Sequence, residues 1–372
     1  MYHHDARDYH KAVAETEERF NGELQAIIAK GQASAANVIQ KIQDEIPEDA
    51  ILHSKQVKAT VDSKAVGNGI SRIVRLSEGE WSRPLHNHAL SQVAARTGVP
   101  ELYVNRLMEK DYGPDLLAHN LNTIFEKEQA ERYLARTVKG EVRGLLSDKY
   151  RRMDSRPILE AFVAGCQSVR AVPVEGVGGD LRFEIKALLP IVFRPGGDEI
   201  VAFGIALSNS DFGCGALSVR LFCLRIWCTN YAKMEEELRK VHLGSRLGDE
   251  IQYSAETYRA DTRAMALATR DIVKGVLGPA KVNAQVAMIE KAMESKIELK
   301  TALRELPKMG LLKGEVEAVE ETFRTGGVEK LPPGDTTYRL SNAVSWIAKA
   351  ATTAERRMEL EQTAGQILAK AA

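Results

Sequence analysis

Apolar residues recur at three- and four-residue spacing through residues 8–45, at Phe20, Leu24, Ile27, Ile28, Val38, Ile39 and Ile42. That period predicts mostly helix with one apolar stripe, broken near Gly31 and ended at Pro47. The pattern then changes: residues 56–62 and 70–76 alternate, which predicts two short strands around a turn containing glycine. Helical spacing returns after Pro84, runs to about Thr97, stops at Gly98, and resumes after Pro100. This Gly-x-Pro corner resembles a helix-turn-helix, but many helical hairpins share it, so a structural hairpin is the expectation. His86-Asn87-His88 has no ββα metal framework around it and does not read as a nuclease motif.

A further helix is predicted at 115–131, then a hairpin of 133–138 and 141–146 turning at Lys139-Gly140. Helix 155–168 starts behind Asp154 or Ser155, with Pro157 in its first turn. Residues 180–193 and 199–208 form a second hairpin signal across Arg194-Pro195-Gly196-Gly197-Asp198, and 217–228 supplies a third strand. A helix is expected over 230–242. Beyond 250 the period is helical at 254–276, 281–298, 299–306, 313–324 and 340–371. The expected fold class is α+β: an antiparallel sheet core, a three-strand meander followed by a helix, with helical N- and C-terminal segments. The expected divisions are 1–50, 51–248 and 249–372.

Within SNSDFGCGALSVRLFCLRIWCTN (208–230), one strand face would carry Val219, Leu221, Cys223, Arg225 and Trp227, the other Arg220, Phe222, Leu224, Ile226 and Cys228. Cys223 and Cys228 therefore point apart and do not form a metal pair, and no Cys-x-x-Cys occurs. Apolar residues on both faces predict a central strand. Arg225 in its middle must meet a carboxylate or reach a groove where an anion binds, because an unpaired buried guanidinium is too costly.

The chain has 51 basic and 51 acidic residues, so its whole surface is not a polyanion coat. Charge is uneven, however. Residues 132–156 hold eight basic side chains against three acidic ones, interleaved with Tyr133 and Tyr150. Cations for phosphates beside aromatics for bases suit a sequence-tolerant single-strand binder; the alternative is a solvated hairpin surface. Asp180, Glu184 and Lys186 match a loose carboxylate…Glu-x-Lys nuclease spacing, with Arg182 intruding on the same face. His3, His4 and His10 with Asp5 are a weak metal cluster at a terminus, and Gly326-Gly327-Val328-Glu329-Lys330 fails the phosphate-loop pattern. No apolar run approaches the roughly 18 residues of a membrane span, and the first twenty residues have no signal-peptide core. Four cysteines do not make a disulfide framework, so a cytoplasmic chain with reduced thiols is expected.

Three segments, SQVAARTGVPELYVNRLM, VRGLLSDKYRRMDSRPILEAF and ALSNSDFGCGALSVRLFCLRIWCTN, occur in an order that resembles the phage/plasmid-like proteins of the domain-of-unknown-function family 932. Leu146-Ser147-Asp148-x-Tyr150-Arg151-x-x-Asp154 and Arg225-x-x-Cys228-x-Asn230 carry most of that resemblance, which spans about residues 60–290. It implies a phage or mobile-element context, hence a host-cytoplasmic location, without implying an activity. The expected meander 181–228 followed by a helix also looks like the β-β-β-α core of phage single-strand annealing proteins of the Red-beta class.

The resulting expectation is a non-enzymatic DNA-binding protein, preferring single strands, needing no cofactor or metal, assembled as a homo-oligomer and assisting recombination or replication. Its expected contacts are Arg136, Lys139, Arg143, Lys149, Arg151 and Arg152 for phosphates, Tyr150 for stacking, and Arg225 as a deeper contact. The alternatives are a metal-dependent nuclease using Asp180, Glu184 and Lys186, and an assembly factor whose helical ends bind a protein partner.

Overall fold

The computed structural model describes residues 6–66, 69–127, 131–196, 199–226, 230–240, 242, 253–326 and 331–371. Helix α1 (Ala6–Asp44) precedes strand β1 (Glu48–His53) and a meander of β2 (Lys58–Val66), β3 (Gly69–Glu78) and β4 (Trp81–Pro84). Helices α2 (Asn87–Arg96), α3 (Glu101–Glu109) and α4 (Gly113–Lys127) follow. The hairpin β5 (Arg132–Val138) and β6 (Glu141–Ser147) leads into α5 (Ser155–Ser168). Next come β7 (Val172–Gly178), β8 (Phe183–Leu188), β9 (Phe193–Gly196), β10 (Glu199–Asn209), β11 (Leu217–Arg225) and β12 (Asn230–Lys240). The chain closes with α6 (Ala255–Val276), α7 (Pro279–Glu294), α8 (Leu299–Glu305), α9 (Lys313–Thr325), α10 (Thr337–Ile347) and α11 (Ala354–Ala369). This is an α+β fold with antiparallel sheets and helices at both ends. Among the described residues no helix is long and apolar enough to cross a membrane.

The main sheet has the order β12-β11-β10-β8-β7, with β9 also pairing to β10. The predicted faces of the 217–226 stretch separate as alternation requires. Val219, Leu221 and Cys223 join Phe203, Ile205 and Phe162 in one core, while Phe222, Leu224 and Ile226 join Phe20, Leu24 and Ile28 of α1 in another. Cys228 and Trp227 lie outside the described residues. Two smaller sheets, β1-β5-β6 and β2-β3-β4, share a third core with α2, α3 and α4.

Three expectations need correction. Helix α1 does not break at Gly31: a Cβ there would lie 1.6 Å from the Val174 carbonyl oxygen, so this glycine lets α1 lie against β7 rather than stopping the helix. Residues 230–240 form strand β12, not a helix, because β11 offers a backbone partner all along it, from Arg225↔Asn230 to Leu217↔Lys240. Packing against β11 and α11 overrides the helix propensity of the Met-Glu-Glu-Glu-Leu-Arg-Lys run. The β-β-β-α order behind the annealing-protein likeness is therefore not present here. The single helix expected over 340–371 is two, separated by Ala348–Thr353.

Candidate nucleic-acid interface

The turn of the β5–β6 hairpin is the one expected, with Lys139 and Gly140 both at positive φ (50° and 81°). Its basic residues, however, face carboxylates. Arg136 is buried with Nε 2.9 Å from Asp49 and Nη2 2.5 Å from Asp154, and its third donor group reaches the Asp211 carbonyl. Burial opposes the Arg136 charge, and Asp154, Asp49 and Asp211 more than restore it. Arg143, also buried, and Lys139 share Glu45 at the end of α1. Arg151 forms a two-pronged pair with Asp261 of α6, and Arg152 donates to Asp49 at 2.6 Å. Arg132 meets Asp148, and Arg156 meets Glu160. Lys149 is half-buried. Arg132, Arg136, Lys139, Arg143, Arg151, Arg152 and Arg156 thus each have a carboxylate partner, and the partners Glu45, Asp49 and Asp261 come from distant chain segments. The local charge excess read in the sequence is neutralised by tertiary structure, and it ties α1, β1 and α6 to the sheet.

Tyr150 is buried, its ring stacked on His242 with centroids 4.9 Å apart and its hydroxyl directed at the Ser210 carbonyl. Burial raises its phenol far above the usual range. No base can reach this ring without displacing His242. Of the two fates open to Arg225, the carboxylate is realised: Nε and Nη2 each lie 2.6 Å from Glu199, which also accepts from the Tyr338 hydroxyl. Helix α2 packs inward, with Gln92 bonded to the Leu145 amide and the Phe212 carbonyl, while Gly98 and Pro100 of the α2–α3 corner are exposed.

The nuclease pattern is not assembled. Glu184 and Lys186 share a sheet face but belong to a buried network in which Lys186 reaches Glu361 (2.8 Å) and Glu175 (3.1 Å), and Lys233 reaches Glu184 (2.8 Å). Burial works against the Lys186 charge, yet Glu361, Glu175 and Glu184 hold its pKa above the ordinary lysine value. An ammonium held that firmly is not a water-activating base. Asp180 is exposed and pairs with Lys41 instead. Among the described residues no three His, Cys, Asp or Glu side chains are arranged to hold a metal. His3, His4, Asp5 and the 327–330 part of the glycine pair motif lie outside the described residues.

Cations without carboxylates occur elsewhere. On α6, Arg259, Arg263, Arg270 and Lys274 follow one another at spacings of four, seven and four residues, which puts them on one helix flank. This flank adjoins the buried stripe Thr262, Ala266, Thr269 and Val273. Among the described residues Arg259, Arg263 and Lys274 form no ion pair or hydrogen bond and are exposed; Arg270 touches only its neighbour Asp271, at 3.4 Å. The stripe spans about 22 Å at 1.5 Å per residue.

At the N-terminal end of α6 lies a cleft of about 290 Å³, lined by Asp49, Asp148, Arg152, Asp154, Tyr253, Tyr258 and Arg259 among others. Tyr253 is 40% exposed and meets Tyr258 edge-on, with centroids 5.8 Å apart. The Arg152 guanidinium sits 3.8 Å above the Tyr258 ring. An aromatic pair open to solvent thus abuts the basic stripe. Sequence reading passed over these residues because no charge run marks them; the signal available was basic residues recurring at helical spacing in 259–274, behind Tyr253 and Tyr258. Compared with models of known protein families, with curated proteins and with solved structures, the chain matches none.

Proposed function

We propose that this protein is a non-enzymatic single-strand DNA-binding protein whose contact surface is α6 and the cleft at its N-terminal end. The observation that carries the reading is the stripe Arg259, Arg263 and Lys274, three exposed cations on one flank with no carboxylate partner among the described residues. Side chains of that kind release counterions when a phosphate arrives, whereas Arg136 or Arg143 would first have to give up a buried ion pair. Tyr253 supplies an exposed face on which a base stacks next to the stripe. The carboxylates of Asp49, Asp148 and Asp154 in the same cleft accept from exocyclic amines of a base and disfavour a phosphate there. Bases therefore enter the cleft and the backbone follows the helix. A duplex hides its base faces, so single strands bind better. A role in recombination or replication of a mobile element rests on the family resemblance alone and is proposed with it.

The test is fluorescence anisotropy of labelled single- and double-stranded oligonucleotides over a salt series. Four phosphate contacts give a slope of log affinity against log salt of about −3 for a single strand. The double variant Arg259→Glu/Arg263→Glu, which disturbs no internal pair, is expected to flatten that slope by more than one unit. Tyr253→Ala is expected to weaken binding with the slope unchanged. Absence of salt-dependent binding to either form at low salt, with the chain folded, overturns the proposal.

A further inference from the structure

Strand β2 is the free edge of the β2-β3-β4 sheet. Both main-chain groups of Ala59 are taken by the Asn122 side chain of α4, with the Ala59 N–H donating at 2.7 Å and its carbonyl accepting at 2.9 Å. Ala59 therefore faces away from β3, and in an antiparallel ladder so does every second residue: Val61, Ser63 and Ala65. Among the described residues the outward N–H and C=O groups of these three meet no backbone partner. The edge is exposed from Asp62 to Val66. Its surroundings carry solvent-facing apolar side chains, with Val66 at 59% and Ile70 at 57% exposure. Long, open, partly apolar edges are templates for another strand.

We propose that the occupant is the β2 edge of a second copy of this chain, paired antiparallel about a two-fold axis through Ser63. The sequence of the strand singles out that register. It sets Ser63 opposite Ser63 on the axis, and Val61 opposite Ala65 and Asp62 opposite Lys64 of the second copy, these last two relations occurring twice by symmetry. Shifting the axis by one residue in either direction faces Lys64 with Lys64 or Asp62 with Asp62, which opposes pairing. In the Ser63 register the inner face gains a continuous apolar row, Ile70 and Ala65 of one copy with Val61 and Val74 of the other. The outward groups of Val61, Ser63 and Ala65 form six inter-chain hydrogen bonds, and Asn122, occupying Ala59, ends the ladder on each side. This pairing is independent of the α6 surface.

The experiment is sedimentation-velocity ultracentrifugation of the full chain over a concentration range, with thermal melts to verify folding. Wild type is expected to form a dimer. Lys64→Asp, which places acids opposite each other twice, is expected to weaken it roughly tenfold. Asp62→Lys does the same with bases. Mixing these two single variants restores association, as does combining them in one chain as Asp62→Lys/Lys64→Asp. Under mild oxidant Ser63→Cys is expected to cross-link to itself, since directly opposed Cα atoms about 5.5 Å apart lie within disulfide reach. A wild-type monomer at every concentration overturns the proposal and leaves the edge to a strand from another protein. A dimer indifferent to both single charge variants overturns it by placing the interface elsewhere.

Discussion

Arg225 and Glu199 lie on neighbouring strands inside the main sheet, joined by two 2.6 Å hydrogen bonds, with each side chain less than a tenth exposed. The pair sits among Val201, Cys223 and Phe203, where neither charge has water to fall back on. Removing either partner leaves the other buried without this counter-charge, and Arg225→Ala or Glu199→Ala is expected to destabilise the fold by about 3–5 kcal/mol. The double variant Arg225→Met/Glu199→Leu is expected to lose far less, because no unpaired charge remains. Urea unfolding of the three variants checks this; additive losses in the double variant would show that the pair is not acting as a unit.

Asp211 links stability to pH. It is buried between Arg136 and the start of α5, where it accepts the Ser155 N–H. Burial pushes its carboxyl up to about 6 from an ordinary 3.8, against the pull of Arg136. A raised folded-state value means that its contribution is fully present below about pH 4 and is lost as pH rises through 6. The loss is about 3 kcal/mol. Asp211→Asn keeps an acceptor for Ser155 without the charge. The stability of this variant relative to wild type is therefore expected to rise by that amount between pH 4 and 7, read from urea titrations at each pH. A difference that does not vary with pH counts against the assignment.

Arg151 and Arg259 separate a structural cation from a surface one. Arg151→Ala breaks the two-pronged pair with Asp261 that joins the α5 approach to α6. A loss of about 1 kcal/mol in stability is expected, because the pair is about a third exposed and partly screened. Its effect on the salt slope of oligonucleotide binding is expected to be nil. Arg259→Glu is expected to do the reverse, leaving the melting temperature within a degree or two and flattening the slope. If Arg151→Ala flattened the slope as much, the hairpin would have to be counted as a contact surface.

Two glycines of α1 give a matched pair. An added methyl at Gly31 meets the Val174 carbonyl, while at Gly22 it meets nothing within 4 Å. Gly31→Ala is expected to push α1 off β7 and cost about 3 kcal/mol or more. Gly22→Ala is expected to stabilise by about 0.5–1 kcal/mol through helix propensity alone. Thermal or urea melts distinguish them directly, and equal effects would mean that α1 does not pack on β7 as described.

Local signals marked most of the elements here. The Lys139-Gly140 turn, Pro157 in the first turn of α5, the Gly98-Val99-Pro100 corner and the face alternation of residues 217–226 all depend on residues close together in sequence, and each stands as read, whereas the Asp154 carboxylate pairs with Arg136 and makes no cap hydrogen bond to α5. The acidic-basic run at 230–240 did not, because whether it pairs as a strand depends on β11 lying alongside. Charge was the least legible property. Residues 132–156 look basic in the sequence because Glu45, Asp49 and Asp261, which neutralise Arg143, Arg136, Arg152 and Arg151, are 98 or more positions away for three of these pairs and 87 for the fourth. Arg259, Arg263 and Lys274 look unremarkable in the sequence because Glu256, Asp261 and Asp271 lie near them in the chain, and only the structure shows that Asp261 is taken by Arg151 and Asp271 by Arg270. Backbone preference is a property of neighbours along the chain. Electrostatic availability is set by distance in space, and only the tertiary structure decides it.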